Sequence, residues 1–481
     1  MTAKANGVQR RTKLVADIEA ALEASELRDG GVVSFHHHLR NGDGVLNLVM
    51  DAVAKRGLRD ITVAASSLFA VHAPLVGHIA TGVVTAISAG FVAGPVAAAI
   101  SAGRLPTPAR LLTHGGRARA VEAGEIRIDV AFVAAPTADP QGNLNGVQGP
   151  SACGTLGYPQ VDVAHARYVV AITDNLVPYP ACPIAIGQEN VDAVVVVPSI
   201  GEAAGIVSGT TRPTDEAAGL MIAGLAARAI EASGLLVEGF SFQTGAGGVS
   251  LAAAAAVRAT MATRGVVGSF ASGGITGQHV AMLEAGLFRT LLDVQCFDLA
   301  AVRSVATNPR HMPMSASRYA NPHHRGAVVD QLDAVILGAT ELDRDFNVNV
   351  TTGSHGQIMG GSGGHADTAA GAKLAVLTTR LTAGGHAKIV DRVRTVTTPG
   401  HTVDVVVTEA GLAVNPARVD LADRYRAAGL PVLSIDALRE RAAALAVHPI
   451  QPRRDDRVAA TVEYRDGTVL DTVPVVATSP Q

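Results

Sequence analysis

The sequence predicts an α/β fold made of two tandem, duplicated domains with largely parallel sheets. The main observation is a repeat, because the apolar run Ile128–Ala135 resembles the run Leu332–Ala339. Each run precedes a D-x-x-x-N-x-N loop, and the copies lie 204 residues apart (343 minus 139 for the aspartates). The loop residues are Asp139, Asn143 and Asn145 in the first copy, and Asp343, Asn347 and Asn349 in the second. Other segments recur in the same order around them, which indicates a duplication.

The individual elements follow from hydrophobic patterning. Short runs rich in β-branched residues, such as Ile61–Ala65 and Tyr168–Thr173, predict strands buried on both faces. Helical stretches such as Gly44–Arg56 and Ser250–Arg264 lie between strands, which is the order of βαβ units. Ligands bind such sheets where the strands end, so the loops that follow strands are where we expect chemistry.

The domain boundaries follow from breaks in this pattern. We divide the chain into an N-terminal extension (residues 1–29), a first domain (residues 30–211) and a second domain (residues 212–481). The join falls near Gly209–Asp215, where Thr-Thr-Arg-Pro-Thr interrupts the pattern before a helix that begins near Glu216.

Composition excludes several classes of protein. Of the 481 residues, 48% are hydrophobic and 17% charged, and the formal net charge is only -3. This balance excludes general disorder, which requires low hydrophobicity and high net charge, and it provides no basic surface for nucleic acid. With 51 Gly, no Trp and 3% aromatic residues, the core must consist mainly of small aliphatic side chains.

Cysteine usage and hydropathy predict a cytoplasmic protein. The three cysteines (Cys153, Cys182 and Cys296) are widely spaced and odd in number, which fits a reducing compartment. The N-terminal residues lack the apolar segment of a secretory signal. Residues 81–103 carry no charge, but Gly94-Pro95 helps to break them into strand, turn and short helix rather than a membrane span. We expect no membrane partner and no nucleic-acid partner.

A glycine-rich loop, Gln243–Gly248, joins a predicted strand to a helix. Gly245, Gly247 and Gly248 let a ligand approach backbone N–H groups at the helix N-terminus, as phosphate binding and oxyanion stabilisation require. The loop lacks the G-x-G-x-x-G and G-K-[ST] patterns, so dinucleotide and nucleoside triphosphate binding are disfavoured. A tight strand–helix turn without a ligand is the alternative.

A second glycine-rich loop, Gly360–Asp367, contains Gly363 and Gly364. Ordering several glycines costs conformational entropy, which favours a close backbone approach or positive φ angles at this loop. A flexible surface loop is the alternative.

Three histidines and an arginine follow the first predicted strand, as His36, His37, His38 and Arg40. Consecutive residues of an extended segment alternate faces, so the three histidines cannot all bind one metal ion. A satisfied polar loop, an anion site and, less favoured, a metal site with fewer histidines remain open, and in the anion site Arg40 would bind a carboxylate. Arg117 is either a second carboxylate ligand or a solvated surface arginine.

Glu341 and Asp343 follow the second-copy strand, at the positions of Thr137 and Asp139 in the first copy. Because aspartate recurs in both copies, we expect it to have a shared structural role, such as an Asx turn. Glu341 is present in one copy only, which makes it a catalytic candidate, and capping of a helix or turn explains it equally well.

Six motifs resemble the alpha chain of citrate lyase, a member of the CoA-transferase superfamily, from about residue 30 to about residue 445. They are Ser34–His38, Ser66–Leu75, His114–Arg117, Gly239–Gly245, Phe346–Val350 and Ala413–Arg418. The resemblance implies two tandem CoA-transferase-like (NagB/RpiA-like) domains. It also implies citrate:acetyl-acyl-carrier-protein transferase activity, in which acetyl-S-carrier and citrate give citryl-S-carrier and acetate.

The resemblance further implies a hetero-oligomeric complex. In it, a lyase beta chain cleaves the citryl thioester to oxaloacetate and regenerates acetyl-S-carrier. A gamma acyl carrier protein bears a phosphopantetheine-type, dephospho-CoA-derived prosthetic group. We therefore expect no metal and no covalently bound cofactor on this chain, with CoA thioesters as surrogate substrates.

One departure from the superfamily concerns the mechanism. The enzymes of its covalent branch form a thioester on a glutamate side chain. The equivalent position in this sequence is at or near Gly273, where there is no carboxylate residue. We therefore expect direct exchange, in which a citrate carboxylate attacks the acetyl thioester and the carrier thiolate takes the citryl group from the mixed anhydride.

This mechanism assigns roles to the candidate residues. Gly245, Gly247 and Gly248 would hold the oxyanion or the pantetheine arm, with Glu341 as a second-rank catalytic candidate. The predicted substrate-binding residues are His36, His37, Arg40, Arg117, Asn347, Asn349, Gly363 and Gly364.

Two other functions remain open from the residues. A free acyl-CoA:carboxylate CoA-transferase or acyl-CoA hydrolase would use Glu341 covalently and need no carrier. A non-catalytic scaffold or sugar-phosphate-binding relative would bind its ligand without exchanging thioesters. Citramalate is a close alternative to citrate as the acid.

Overall fold

The computed structural model describes residues 12–207, 212–245, 247–448 and 457–476. Residues 208–211 of the predicted join and residues 1–11 of the predicted N-terminal extension lie outside these ranges. None of the helices in the described ranges has the length and apolarity that crossing a bilayer needs.

The first half alternates strands with helices. Its strands are β1 (Val32–Phe35), β2 (Ile61–Ala65), β3 (Val84–Ala89), β4 (Ala109–Leu111), β5 (Val130–Ala134), β6 (Thr137–Ala138), β7 (Leu144–Asn145), β8 (Tyr168–Thr173) and β9 (Ala193–Val196). Its helices are α1 (Ile18–Ser25), α2 (Val45–Lys55), α3 (Leu75–Ala80), α4 (Gly94–Ser101), α5 (His114–Glu122) and α6 (Pro159–His165).

The second half repeats this alternation. Its strands are β10 (Ser241–Thr244), β11 (Gly268–Ile275), β12 (Phe288–Cys296), β13 (His311–Pro313), β14 (Ala334–Gly338), β15 (Glu341–Asp343), β16 (Val348–Asn349), β17 (Ala375–Thr378), β18 (Thr382–Ala383), β19 (His386–Ala387), β20 (Ile389–Val390), β21 (Val405–Thr408) and β22 (Gly411–Val414). Its helices are α7 (Ala217–Ala232), α8 (Gly248–Arg264), α9 (Gly277–Glu284), α10 (Leu299–Thr307), α11 (Ala316–Ala320), α12 (His365–Gly371), α13 (Val419–Ala427) and α14 (Ile435–Leu445). Two further strands, β23 (Val458–Glu463) and β24 (Val469–Pro474), follow.

The two large sheets share one strand order. The first contains β3-β2-β1-β5-β8-β9, and the second contains β12-β11-β10-β14-β17-β21, with every neighbouring pair parallel. Each of these six strands therefore has its equivalent in the other half at the same place in the sheet. The predicted fold class, two duplicated α/β units with largely parallel sheets, is confirmed.

The C-terminal strands return to the first half. β23 pairs parallel with β4, where Thr461 lies opposite Arg110, and β24 pairs antiparallel with β23. Residues 458–474 thus complete the first sheet, although the sequence placed them within the second domain, 212–481. The predicted division at residues 211 and 212 remains a proposal for the rest of the chain.

Local chemistry explains the repeated polar loops. Asp139 accepts hydrogen bonds from the backbone N–H groups of Gln141 (2.8 Å) and Asn143 (3.2 Å). Asp343 accepts from Asp345 (3.0 Å) and Asn347 (2.9 Å) in the same way. The Asx turn predicted from the repeat is therefore present in both halves.

The uncharged segment 81–103 is folded as predicted. It forms strand β3 and helix α4, and Gly94, with a φ of 70°, begins the helix ahead of Pro95. Proline is favoured in the first turn of a helix because that turn has no partner for its N–H group.

Candidate active site

The candidate site lies where β1 ends, between the two halves of the molecule. His36, His37, His38 and Arg40 follow β1 directly, and all four side chains are buried. The second half closes over this loop, because Gln295 Nε2 donates a hydrogen bond to the carbonyl of His37 at 2.9 Å.

The His37 ring is held by two serines that follow β2. His37 Nδ1 lies 2.7 Å from Ser66 Oγ, and Nε2 lies 3.5 Å from Ser67 Oγ. The Ser67 hydroxyl donates to the carbonyl of Ser66 at 2.7 Å, so its oxygen is left to accept from Nε2–H. Burial lowers the pKa of His37 well below its usual value, so the ring is neutral. The role of His37 in binding the substrate stays a prediction.

His36 and His38 retain unused ring nitrogens. His36 Nε2 accepts from the backbone N–H of Ala134 at 3.0 Å, so its neutral ring carries the proton on Nδ1. That Nδ1, and both ring nitrogens of His38, have no hydrogen-bond partner among the described residues. Burial lowers the pKa of His36 to about 4 and that of His38 well below its usual value. Neutral, buried N–H donors are therefore available to a ligand.

Arg40 adds a positive charge to these donors. Its guanidinium carbon lies 5.4 Å from the ring centre of Phe69 and 4.7 Å from that of Phe297, so it contacts an aromatic ring from each half. Burial lowers its pKa to about 10, which leaves it charged at neutral pH. Its φ of 51° is in the left-handed region, which costs a non-glycine residue about 1–2 kcal/mol and often marks a functional site.

The glycine-rich loop of the second half reaches this site through His114. The backbone N–H of His114 donates to the carbonyl of Gly363 at 2.8 Å, and its ring lies 5.7 Å from that of His37. A Cβ on Gly363 would lie 3.3 Å from His114 Nε2, and the φ of Gly363 is 51°. Both observations fit the close backbone approach and positive φ predicted for this loop.

Tyr158 and Tyr319 extend the same contact surface. The Tyr158 ring lies 4.8 Å from that of His37 and 4.7 Å from that of His114. Tyr319 Oη accepts a hydrogen bond from Gln243 Nε2 at 2.7 Å, and a Cβ on Gly364 would overlap that oxygen. A chain of contacts thus runs from the histidine loop to the end of β10.

Gly245, Gly247 and Gly248 lie at that end of β10, around the start of α8. Gly247 is the exposed N-cap residue of α8, with a φ of -74° and a ψ of 152°. Gly248 lies against the segment after residue 211, because its carbonyl accepts from the N–H of Thr214 at 3.0 Å. The N–H groups of the first turn of α8 make this an anion-favouring position.

Arg117 occupies a structural position. Its guanidinium donates to both carboxylate oxygens of Asp162, at 2.7 and 2.8 Å, and to the carbonyl of Ala64 at 3.0 Å. Both partners of the pair are buried. Arg117 is therefore not the solvated surface arginine considered from the sequence, and a role in binding citrate directly stays a prediction.

Glu341, Asn347 and Asn349 lie around the small sheet of β15, β16 and β20. Glu341 Oε2 accepts from Asn349 Nδ2 at 3.1 Å, while Oε1 is buried without a partner among the described residues. Asn347 Oδ1 accepts from the N–H of Gly400 at 2.9 Å. The structure thus gives each asparagine a loop-stabilising bond, and their substrate contacts stay predictions.

One group of side chains in the described part of the chain could hold a metal ion: Asp293, Cys296 and His311. Its atoms also form a complete hydrogen-bond network, in which Asp293 Oδ2 accepts from Thr155 (2.6 Å), Cys296 (3.1 Å) and His311 (3.2 Å). Burial raises the pKa of Cys296 well above its usual value, so the thiol keeps its proton. Because Thr155 belongs to the first half, the network joins the two halves.

Sequence reasoning missed four residues of this site: Tyr158, Gln295, Phe297 and Tyr319. It named Gln243 as the first residue of the glycine-rich loop but gave it no role. Gln243 and Gln295 are buried polar residues in the strands β10 and β12, and a glutamine within an apolar run is a pattern that would have indicated them.

Comparisons with known proteins agree on one family. The model for the citrate lyase alpha subunit matches residues 11–476. The chain is 49% identical to the citrate lyase alpha chain of Escherichia coli (strain K12), covering 96% of this chain and 91% of that protein. It is 45% identical to the citrate lyase alpha chain of Klebsiella pneumoniae, covering 98% and 93%.

Solved structures extend this similarity. The citrate lyase alpha subunit of Streptococcus mutans, determined in complex with citrate, has a TM-score of 0.95 and 46% identity, covering 97% of this chain and 92% of that chain. A Pseudomonas malonate decarboxylase hetero-tetramer has a TM-score of 0.68 and 17% identity, covering 91% and 88%, and shares the fold.

Proposed function

The chain belongs to the citrate lyase alpha subunit family, and we propose that the site between its halves performs the acyl transfer of that family. As the transferase subunit of citrate lyase, it exchanges the acetyl group on a carrier thioester for citrate. The resemblance indicated by the six motifs is confirmed.

The observation that supports this location is the buried positive charge of Arg40 on the same loop as the unused nitrogens of His36 and His38. Arg40 has a backbone conformation that costs free energy, and the folded chain keeps it. His36 Nδ1–H is one free donor. The neutral ring of His38 carries one N–H, on Nδ1 or on Nε2, and neither nitrogen has a partner among the described residues, so this ring supplies a second donor. A carboxylate matches a guanidinium and two neutral N–H donors, and charge-assisted hydrogen bonds are the strong ones.

The exchange would proceed without a covalent bond to the protein. A citrate carboxylate oxygen attacks the acetyl carbonyl carbon, the C–S bond breaks, and the carrier leaves as a thiolate. The thiolate then attacks the citryl carbonyl carbon of the mixed anhydride, and acetate leaves. Because the nucleophile comes from the substrate, the protein contributes orientation and stabilisation of the oxyanion.

The surroundings of Gly273 support direct exchange. Gly273 has a φ of 97°, and a Cβ there would lie 2.6 Å from the Gln243 side-chain amide. A glutamate at this position would collide with Gln243, so the packing leaves no room for a covalent glutamyl group. The backbone N–H of Gly245, which the sequence also predicted as a donor, already donates to the carbonyl of Ile336 at 2.9 Å. The N–H groups of Gly247 and Gly248 remain the proposed donors to the oxyanion or the pantetheine arm.

The chain acts with an acyl carrier subunit in a multi-subunit enzyme. We propose a phosphopantetheine-type, dephospho-CoA-derived group as the thiol of a gamma carrier protein. A lyase beta chain would be the second partner, and the cytoplasm would be the location.

An acetate-release assay tests the proposed function. Purified chain is incubated with acetylated carrier and with citrate, citramalate or a 3-hydroxy acid, and each mixture is repeated without carrier. Citrate-dependent release that requires the carrier is the expected result, and no release with citrate under any condition would refute it.

The same assay separates direct exchange from a covalent route through Glu341. Direct exchange predicts that hydroxylamine traps no acyl group on the chain. If Glu341→Gln abolishes release and hydroxylamine traps an acyl-enzyme on the wild type, the covalent alternative holds.

A further inference from the structure

Gln295 contacts the histidine loop of the candidate site and has one unused hydrogen-bonding atom. It lies in β12 and is fully buried. Its Nε2 donates to the carbonyl of His37 at 2.9 Å, whereas Oε1 has no partner among the described residues. A buried acceptor without a donor destabilises the folded chain, so a ligand that supplies the donor is favoured at this position.

The orientation of the Gln295 amide is determined by its surroundings. Turning it over would place Oε1 against the carbonyl oxygen of His37, and two acceptors repel each other. The strand is held as well, because the backbone N–H of Gln295 donates to Asp293 Oδ1 at 2.8 Å. Asp293 Oδ2 in turn accepts from Thr155 of the first half at 2.6 Å. Oε1 is therefore a fixed acceptor.

A fixed acceptor selects a different chemical group from the one that the donors of the histidine loop select. Arg40 and His36 Nδ1 are donors and suit carboxylates, which at neutral pH have no hydrogen to give. Oε1 of Gln295 needs a donor, and an alcohol provides one. A hydroxy acid has both kinds of group in one small molecule.

We propose that Gln295 Oε1 accepts a hydrogen bond from the hydroxyl group of the acid substrate and so selects hydroxy acids over acids without that group. The proposal rests on the proposed transferase function and adds to it a residue that determines specificity. Sites that hydrogen-bond a substrate hydroxyl discriminate strongly against analogues that lack it, because the site's polar atom is then left unpaired.

The test compares citrate with propane-1,2,3-tricarboxylate, which differs by the hydroxyl alone. Initial rates of acetate release from acetylated carrier give kcat/KM for each acid with the full chain. The wild type is expected to prefer citrate by at least about tenfold, the effect of one hydrogen bond. Gln295→Met, which keeps the side-chain length and removes the amide, should bring the ratio close to one.

Gln243→Met is the matched control. Gln243 is also a buried strand glutamine, but Nε2 donates to Tyr319 and Oε1 accepts from Ser272 at 3.1 Å. This variant should lower the rates with both acids by the same factor and leave the ratio unchanged.

Two outcomes would overturn the proposal, and the first needs no variant. Equal kcat/KM values of the wild type for the two acids would exclude a hydroxyl contact. A wild-type ratio retained in Gln295→Met would show that the discrimination arises elsewhere. In both cases exchange with citrate still occurs, whereas its complete absence would instead refute the transferase function.

Discussion

Replacing Arg40 by glycine and by alanine separates the effect of its side chain on citrate binding from the effect of its left-handed backbone on stability. Both variants remove the guanidinium, and with it the proposed contact to citrate. They differ in the backbone, because the φ of 51° at this position is accessible to glycine and strained for alanine.

The structure sets the expected magnitudes. A hydrogen bond to a charged group contributes about 1.5–3 kcal/mol, so loss of the Arg40 contact should weaken citrate binding by roughly 10- to 150-fold in both variants. Left-handed backbone costs an L-residue roughly 1–2 kcal/mol, so Arg40→Gly should be more stable to unfolding than Arg40→Ala by about that amount. Elsewhere in a folded chain glycine is normally the less stable of the two.

Two measurements on the same samples provide the test. Titration calorimetry gives the Kd for citrate, and urea denaturation gives the free energy of unfolding. Arg110→Ala is the matched control, since Arg110 pairs with Glu463 on β23 and should leave the Kd unchanged. Unchanged citrate affinity in both Arg40 variants would refute the binding role, and greater stability of the alanine variant would refute the argument from backbone strain.

Three further predictions follow from buried groups and from the glycine loop. Arg117→Met should lower the free energy of unfolding by about 3–5 kcal/mol, because Asp162 is then left charged and buried without its partner. The double variant with Asp162→Leu should recover most of that loss, and urea denaturation measures both. Gly247→Pro should keep the fold, since the φ of -74° at this position suits proline. Because proline lacks the backbone N–H that we propose stabilises the oxyanion, transferase turnover should fall by about 10²–10³-fold. Gly247→Ala keeps that N–H and should be close to wild type, and full activity of Gly247→Pro would exclude the oxyanion role. Burial raises the pKa of Asp367 to about 6, above its ordinary value of 3.8, so its contribution to stability is complete well below pH 3.8 and is lost as the pH rises through 6. The stability of the wild type relative to Asp367→Asn should therefore fall by about 3 kcal/mol between about pH 3 and pH 7, and a flat difference would contradict the burial argument.

The repeat explains why so much of the fold could be predicted. The runs Ile61–Ala65 and Tyr168–Thr173 are strands with the predicted limits, and the helix predicted from Ser250 to Arg264 begins two residues earlier. Apolar periodicity determines these elements locally, so one sequence is sufficient. The return of β23 to the first sheet could not be predicted, because pairing with β4 depends on a contact across most of the chain.

The candidate site was partly predictable for the same reason. His36 and Arg40 stand out because polar residues directly after a buried strand fall at the ligand-binding edge of the sheet. The pairing of Arg117 with Asp162 could not be predicted, because the two residues are 45 positions apart and no local pattern links them. Gln295 and Phe297 were missed because they reach the site from the other half, and the sequence does not contain the geometry of that interface.

A crystal structure of the chain with citrate tests whether the site between the two halves binds the acid. Citrate is expected to lie there, with one carboxylate within hydrogen-bond distance of the Arg40 guanidinium and of His36 Nδ1. Citrate bound elsewhere, with the histidine loop and Arg40 out of reach, would contradict it.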